Sequence, residues 1–246
     1  MAGAATDPTV VVERIGAVCS VQLARPDKLN AASPQLQAEF NEALRAAAAD
    51  DDVRVVVLSG RGRALSAGGD TDVLQQLVTG TAAAAFQRQL ADLTEERLRL
   101  AFEDLGKPLV VALHGFAIGW GAELVAMADV VVMDDDAYLQ EPHARYGIAP
   151  APACELVWSR FVPPGVLTEI LALGRRVTAA EALRWGLVTR VVPSGQARTV
   201  ALDLAAELAE VPAGGLAAVK RAVHGDVAAR LREARGQRGS ASSPSR

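Results

Sequence analysis

Leu109–Met133, LVVALHGFAIGWGAELVAMADVVVM, is 25 residues of mostly apolar sequence, and its division decides the fold. Its length matches a membrane span, and Gly115 and Gly119 stand in GxxxG spacing. His114, Glu123 and Asp129 lie inside it, however, and each is costly in lipid. The better division is a buried strand at Leu109–Leu113, a Gly-interrupted turn, a helix at Trp120–Ala128 and a strand at Val130–Met133. Strand, helix and strand in that order make a parallel β-α-β unit, and hence an α/β fold.

The same alternation extends outward in both directions. Upstream, Val10–Glu13 and Val18–Leu23 read as a strand pair turning at Gly16. Ser33-Pro34 starts a helix with Ser as cap and Pro in the first turn, and Leu36, Phe40, Ala43, Leu44 and Ala47 continue at helical spacing. Val53–Leu58 is a strand buried on both faces, and Gly60 to Asp72 is a glycine-punctuated loop. Leu98, Phe102 and Leu105 mark a helix over Leu93–Leu105 that stops at Gly106-Lys107-Pro108. Downstream, Pro163 to Gly186 reads as helical and Val188–Val192 as a short strand. Leu202–Leu208 and Leu216–Val223 read as further helices, and from Gly236 the Gly/Ser/Arg composition predicts a disordered tail.

Composition narrows the function classes. The chain has 246 residues, 50% hydrophobic and 22% charged, enough apolar material for a sizeable core and too much for disorder. A net charge of −4 gives no support to binding nucleic acid or an anionic membrane. Cys19 and Cys154 are far apart, which excludes a disulfide scaffold and a cysteine zinc site. Three histidines without HExxH spacing supply no metal set, so no metal is expected. The N-terminus lacks a basic region followed by an apolar run, and a cytoplasmic soluble protein is expected. There is no GxxxxGK[ST] loop and no GxSxG elbow, and Leu124 stands where a dinucleotide fingerprint needs its third glycine. A cofactor-free enzyme, or a binding protein, is what these exclusions leave.

Two segments place glycines directly after a buried strand: Ser66-Ala67-Gly68-Gly69-Asp70 and His114-Gly115-Phe116-Ala117-Ile118-Gly119-Trp120-Gly121-Ala122-Glu123. Glycine lets backbone approach a ligand closely, and a helix starting near Trp120 leaves free N–H groups. Two such amides converging on one oxygen would hold a thioester enolate, whereas ordinary strand-to-helix turns would need the same glycines.

Taken in order, the blocks resemble the enoyl-CoA hydratase (crotonase) family. They are Arg25-Pro26-Asp27-Lys28-Leu29-Asn30-Ala31, Gly60 through Asp70, Lys107 through Gly115, Gly121-Ala122-Glu123-Leu124, Gly174 through Ala182, and Trp185-Gly186-Leu187-Val188. The resemblance runs from about residue 10 to about residue 224. It implies a spiral of ββα turns over 10–192, preceded by a disordered stretch at 1–9 and followed by a shortened C-terminal helical region at 193–235 and a tail at 236–246. It implies an acyl-CoA thioester substrate of the fatty-acid kind, no cofactor beyond the coenzyme A of that substrate, and assembly as a homotrimer or dimer of trimers. By the same resemblance the oxyanion amides belong to Gly69 and Trp120, and the first catalytic carboxylate to Glu123. Lys28, Ala67, Gly68 and Asp70 fall in the coenzyme A and substrate contacts, Ala67 through its backbone beside the adenine.

The departures are as informative. The second hydratase carboxylate should precede Gly147 by four residues, and His143 stands there. A histidine titrates near neutrality and can take either proton-transfer part. Glu141 lies two positions away, a spacing that puts it outside the cavity. Trp120 replaces a small glycine, Asp72 stands where some hydratases use Lys against phosphate, and Ala151-Pro152-Ala153-Cys154 replaces a glycine-rich turn. Three readings follow: enoyl-CoA hydration by Glu123 and His143; isomerisation or C–C bond hydrolysis of a diketone by His143; and a catalytically weak subunit that keeps the fold for binding.

Overall fold

The computed structural model describes residues 7–241. β1 (Val10–Ile15) and β2 (Val18–Leu23) form an antiparallel hairpin, with Val10 opposite Leu23 and Ile15 opposite Val18. The chain is already anchored at Thr9, inside the 1–9 stretch expected to be disordered. Glu39 Oε2 accepts from the Thr9 amide at 2.7 Å and from its hydroxyl at 2.8 Å. A 3-10 turn at Pro26–Lys28 leads to α1 (Pro34–Ala49), capped by Ser33, whose Oγ accepts from the Leu36 amide. Leu36, Phe40, Leu44 and Ala47, on one stripe of α1, are buried.

The rest alternates. β3 (Val55–Gly60) is followed by α2 (Thr71–Val78) and α3 (Ala84–Arg99), the latter running on into a π-helical turn at Leu100–Asp104. β4 (Leu109–Leu113), β5 (Phe116–Ile118), α4 (Trp120–Ala126) and β6 (Val130–Asp134) come next. Then come β7 (Tyr138–Gln140), a 3-10 turn at His143–Tyr146, α5 (Pro152–Trp158) and α6 (Pro164–Leu173). β8 (Arg176–Thr178), α7 (Ala179–Arg184), β9 (Arg190–Val192), α8 (Ala197–Ala209) and α9 (Ala213–Ala241) complete the order.

One sheet runs β1-β2-β3-β4-β6-β9, parallel from β2 onward, and a second runs β5-β7-β8. Bridges from Ala32 to Gly69 and from Ser66 to Ala117 extend the second sheet across the earlier turns. Each turn of chain thus crosses the first sheet, touches the second and leaves through a helix. This is the ββα spiral of the crotonase fold. β3 and β4, at the centre of the large sheet, are buried on both faces, which is why they are near-continuous Val/Leu runs, whereas the edge strands β1 and β9 are half-buried to exposed over most of their length. Val55, Val57, Val110, Ala112 and Val132 pack on Ala197, Ala201 and Ala205 of α8, while Val56, Leu58, Val111 and Leu113 face the main core.

The differences from the sequence reading are local. Residues 163–186 are two helices around a strand, because the chain turns at Gly174 and a Thr178–Glu181 capping box restarts it as α7. The strands β5, β7 and β8 have three residues each, too few to show a period. α9 carries on to Ala241, past position 236 where composition placed the tail. Val227, Ala228 and Leu231 bury into the main core, and turns propagate from that anchor. Residues 1–6 and 242–246 lie outside the described residues. Among the described residues no helix is long and apolar enough to cross a membrane.

Candidate active site

Two loops meet at the start of α4. Gly68 sits at φ +97°, and a Cβ there would lie 2.9 Å from the Ile118 carbonyl oxygen. Gly119 sits at φ +50° and ψ −108°, and its Cβ would lie 3.3 Å from His143 Cε1 and 3.4 Å from Nε2. Only glycine fits both positions, so the 66–69 segment, the β5–α4 turn and the His143 ring are pressed together. Beside them opens a cavity of about 190 Å³ whose lining includes Gly69, Trp120, Glu123 and His143. The four residues expected to perform chemistry therefore share one space. Leu74, Leu77, Leu90, Ala149 and Pro150 supply much of its apolar wall. Among the described residues neither the Gly69 nor the Trp120 amide has a hydrogen-bond acceptor.

Glu123 projects from α4 one turn after Trp120 and is 2% exposed. Its Oε2 is held by Nη2 of Arg97, a side chain from α3 that is itself 1% exposed. Arg97 Nη1 donates to Gln37 Oε1 at 3.1 Å and Nη2 reaches Thr94 Oγ1 at 3.4 Å, while the guanidinium lies 5.5 Å from the Trp120 ring centroid. Trp120 is buried and packs edge-on against Phe40, with centroids 6.1 Å apart. Among the described residues Glu123 Oε1 and Trp120 Nε1 are buried without a hydrogen-bond partner. In a largely apolar cavity such atoms are the few points able to hydrogen-bond water or substrate.

His143, in the same lining, begins the 3-10 turn after β7. Its Nδ1 lies 2.5 Å from Oε1 of Glu141, which is fully buried, and its own amide donates to the same oxygen at 3.3 Å. Burial disfavours the imidazolium, but the hydrogen bond and charge of Glu141, aided by Glu123, outweigh it and raise the His143 pKa. Cys154 of α5 is fully buried near the same two carboxylates. Burial first, then those charges, push its thiol well above the ordinary cysteine value, so it stays protonated and inert.

None of the remaining expected residues, Lys28, Ala67, Gly68 and Asp70, is in the cavity lining. Lys28 is exposed on its 3-10 turn, and the Ala67 amide is spent on the Leu29 carbonyl at 2.9 Å. Gly68 closes the loop contact already described. Asp70 is absent from the cavity lining: its carboxylate pairs with Arg25 at 3.1 Å and caps α2 by accepting from the Asp72 amide at 3.3 Å. Glu141 is outside the lining, as its spacing implied, yet it bonds the ring that is inside. Arg97 is the residue that sequence reading missed. Its signal was present: Leu90, Thr94 and Arg97 recur at helical spacing, so a charged residue sits on the inward stripe of α3.

A family model described as enoyl-CoA hydratase/isomerase matches residues 13–242, and the chain belongs to that family. The carnitinyl-CoA dehydratase of Citrobacter koseri is 35% identical over 210 residues, 84% of this chain and 77% of that protein. The protein of the same name from Proteus mirabilis is 35% identical over 208 residues, 83% of this chain and 76% of that one. Among solved structures, an enoyl-CoA hydratase/isomerase from Mycobacterium paratuberculosis superposes with TM-score 0.84 at 28% identity, covering 92% of this chain and 88% of that one. An enoyl-CoA hydratase from Polaromonas sp. JS666 gives 0.80 at 27% identity, covering 87% and 82%.

Proposed function

We propose that this chain is an acyl-CoA enzyme, independent of any further cofactor, that adds water to or removes it from an α,β-unsaturated thioester. The carrying observation is that Gly69, Trp120, Glu123 and His143 line one cavity. The family description and the dehydratase relatives support the same chemistry. With both amides free, the thioester oxygen accepts from Gly69 and Trp120 as negative charge develops on it. Water oxygen adds at Cβ, its proton passes to the protein, and a proton returns to Cα of the enolate. Lys28 takes the nucleotide end of coenzyme A, and Ala67, its amide already donated, offers its carbonyl to the adenine. Gly68 and Asp70 act by shaping that loop.

The contact of Glu141 with the His143 ring supports a second reading, in which His143 moves protons for isomerisation or C–C bond hydrolysis. Incubation with crotonyl-CoA, followed by loss of the conjugated thioester absorbance and by mass spectrometry, decides between them. Gain of one water supports hydration. A product of unchanged mass from a 3-enoyl-CoA, or diketone cleavage, supports the second reading. Coenzyme A ester binding without turnover of any of these would overturn both and leave a binding subunit.

A further inference from the structure

We infer that this site divides its acids into a fixed charge and a proton carrier: Arg97 holds Glu123 as a carboxylate, and Glu141 aims His143 so that Nε2 is the proton-transfer atom. The inference deepens the reading above, and one arm of its test does not depend on that reading.

Arg97 has nowhere else to go. Its guanidinium is 1% exposed, flanked by Gln37 and Thr94 and set against the Trp120 ring. If Glu123 Oε2 took a proton, a buried cation would lose its counter-charge, the costly way to break such a pair. Glu123 is therefore suited to stabilise a cation across the cavity and unsuited to deliver a proton. His143 faces the complementary situation. Glu141 Oε1 accepts from both its ring Nδ1 and its amide, which fixes ring orientation and tautomer and leaves Nε2 free of that carboxylate, beside Gly119 in the turn that leads into α4. The charged and titratable groups around the ring are Glu141, Glu123 with Arg97 behind it, and the protonated Cys154 thiol. Arg145, on the same turn, is turned away to the Leu173 carbonyl at 3.3 Å.

The step then balances on one base. His143 Nε2 takes a proton from water as the oxygen bonds to Cβ and the double-bond electrons move onto the thioester oxygen. The imidazolium, facing the Glu123 charge, returns that proton to Cα as the carbonyl reforms. Arg97 and Glu141 touch no reacting atom and are positioning residues.

The substrate-free arm is an NMR titration of the labelled His143 imidazole in the intact protein. Wild type should titrate above the ordinary histidine value of 6.5, with Nδ1 protonated in the neutral ring. Glu141→Gln should lower the midpoint and mix the tautomers. The activity arm follows deuterium entry at Cα of butyryl-CoA in D2O. There Glu141→Gln should reduce kcat by roughly 10²–10⁴ with KM held. Arg97→Met should lower kcat with KM held, because Glu123 loses the cation that holds it, and Arg97→Lys should restore part of the rate. If Arg97→Met does not fold, the Glu141→Gln titration and Arg97→Lys still decide. An unchanged His143 midpoint and tautomer in Glu141→Gln, a full rate in a folded Arg97→Met, or an Arg97→Lys that restores nothing, would overturn the inference. Failure of wild type to exchange butyryl-CoA counts against the acyl-CoA reading alone, and the NMR arm then decides the division of labour.

Discussion

Replacing Asp129 with Asn should detach the last long helix from the spiral. Asp129 follows α4, and its Oδ2 accepts from the Leu109 amide at 2.7 Å and from Lys220 Nζ at 2.6 Å, while His224 Nε2 lies 3.0 Å from Oδ1. Lys220 and His224 belong to α9 and are each 5% exposed, and Asp129 is 13% exposed. Screening by solvent is therefore slight. Asn keeps an acceptor for Leu109 but leaves the Lys220 ammonium buried without its counter-charge, a cost of about 3–5 kcal/mol for a broken buried pair. At this chain length that corresponds to a fall in Tm of roughly 6–20 °C. Lys220→Met alone should cost a similar amount. The double substitution should cost much less than the sum, because neither charge is then stranded. Urea denaturation of the four proteins, with the slope checked for constancy, measures the coupling. The pH dependence carries the same sign. Burial opposes ionisation of Asp129, but the Lys220 charge, the His224 contact and the Leu109 amide outweigh it and depress the pKa. A depressed carboxylate pKa contributes stability above its unfolded value, lost as pH falls through the folded one. Wild type should therefore lose this increment in acid and Asp129→Asn should have none to lose. A variant within 1 kcal/mol of wild type at neutral pH, or strictly additive singles, would refute the assignment of α9 docking to this cluster.

His143→Ala should lower turnover by roughly 10²–10⁴ with coenzyme A ester affinity retained, read by steady-state kinetics beside calorimetric binding. Gly69→Pro removes an amide donor and should cost roughly 10²–10³ in kcat. A Cβ at Gly69 would meet the Leu74 side chain at 2.9 Å, so Gly69→Ala, which keeps the N–H, is the control that separates crowding from loss of the donor. Cys154 should resist iodoacetamide in the native protein and react once denaturant unfolds it, because its thiol is buried and held protonated. Mass spectrometry of the tryptic digest reports both states.

The parts legible in the sequence are those fixed by chain-local physics. The Val10–Leu23 hairpin, the Ser33-Pro34 helix start and the doubly buried strands at Val55–Gly60 and Leu109–Leu113 each declare themselves through a cap, a turn or a run. The second sheet does not, since β5, β7 and β8 are three residues long and gain their identity from pairing with chain far away. The start of α3 was missed for a related reason. Ala84 to Asp92 has little apolar stripe of its own, and its helix is carried by the packed turns that follow.

The site divides along the same line. Gly69, Trp120, Glu123 and His143 were readable because the blocks that resemble the crotonase family carry them at its site positions, and the cavity gathers all four. Arg97 showed only as a charge on an inward stripe and Glu141 only as a neighbour of His143, because the sequence marks neither contact. Arg97 lies 26 residues from Glu123 and meets it only when α3 lays its inward stripe over the start of α4. Glu141 is two residues from His143, a spacing that on an extended strand would send the two side chains the same way without bonding them. The chain bends into a 3-10 turn at His143, and that bend closes the 2.5 Å contact. The sequence could thus name the groups able to move a proton, but which of them does so is set by two contacts made only on folding. A carboxylate with a buried arginine and a histidine with a buried carboxylate do different chemistry from the same two residues standing alone.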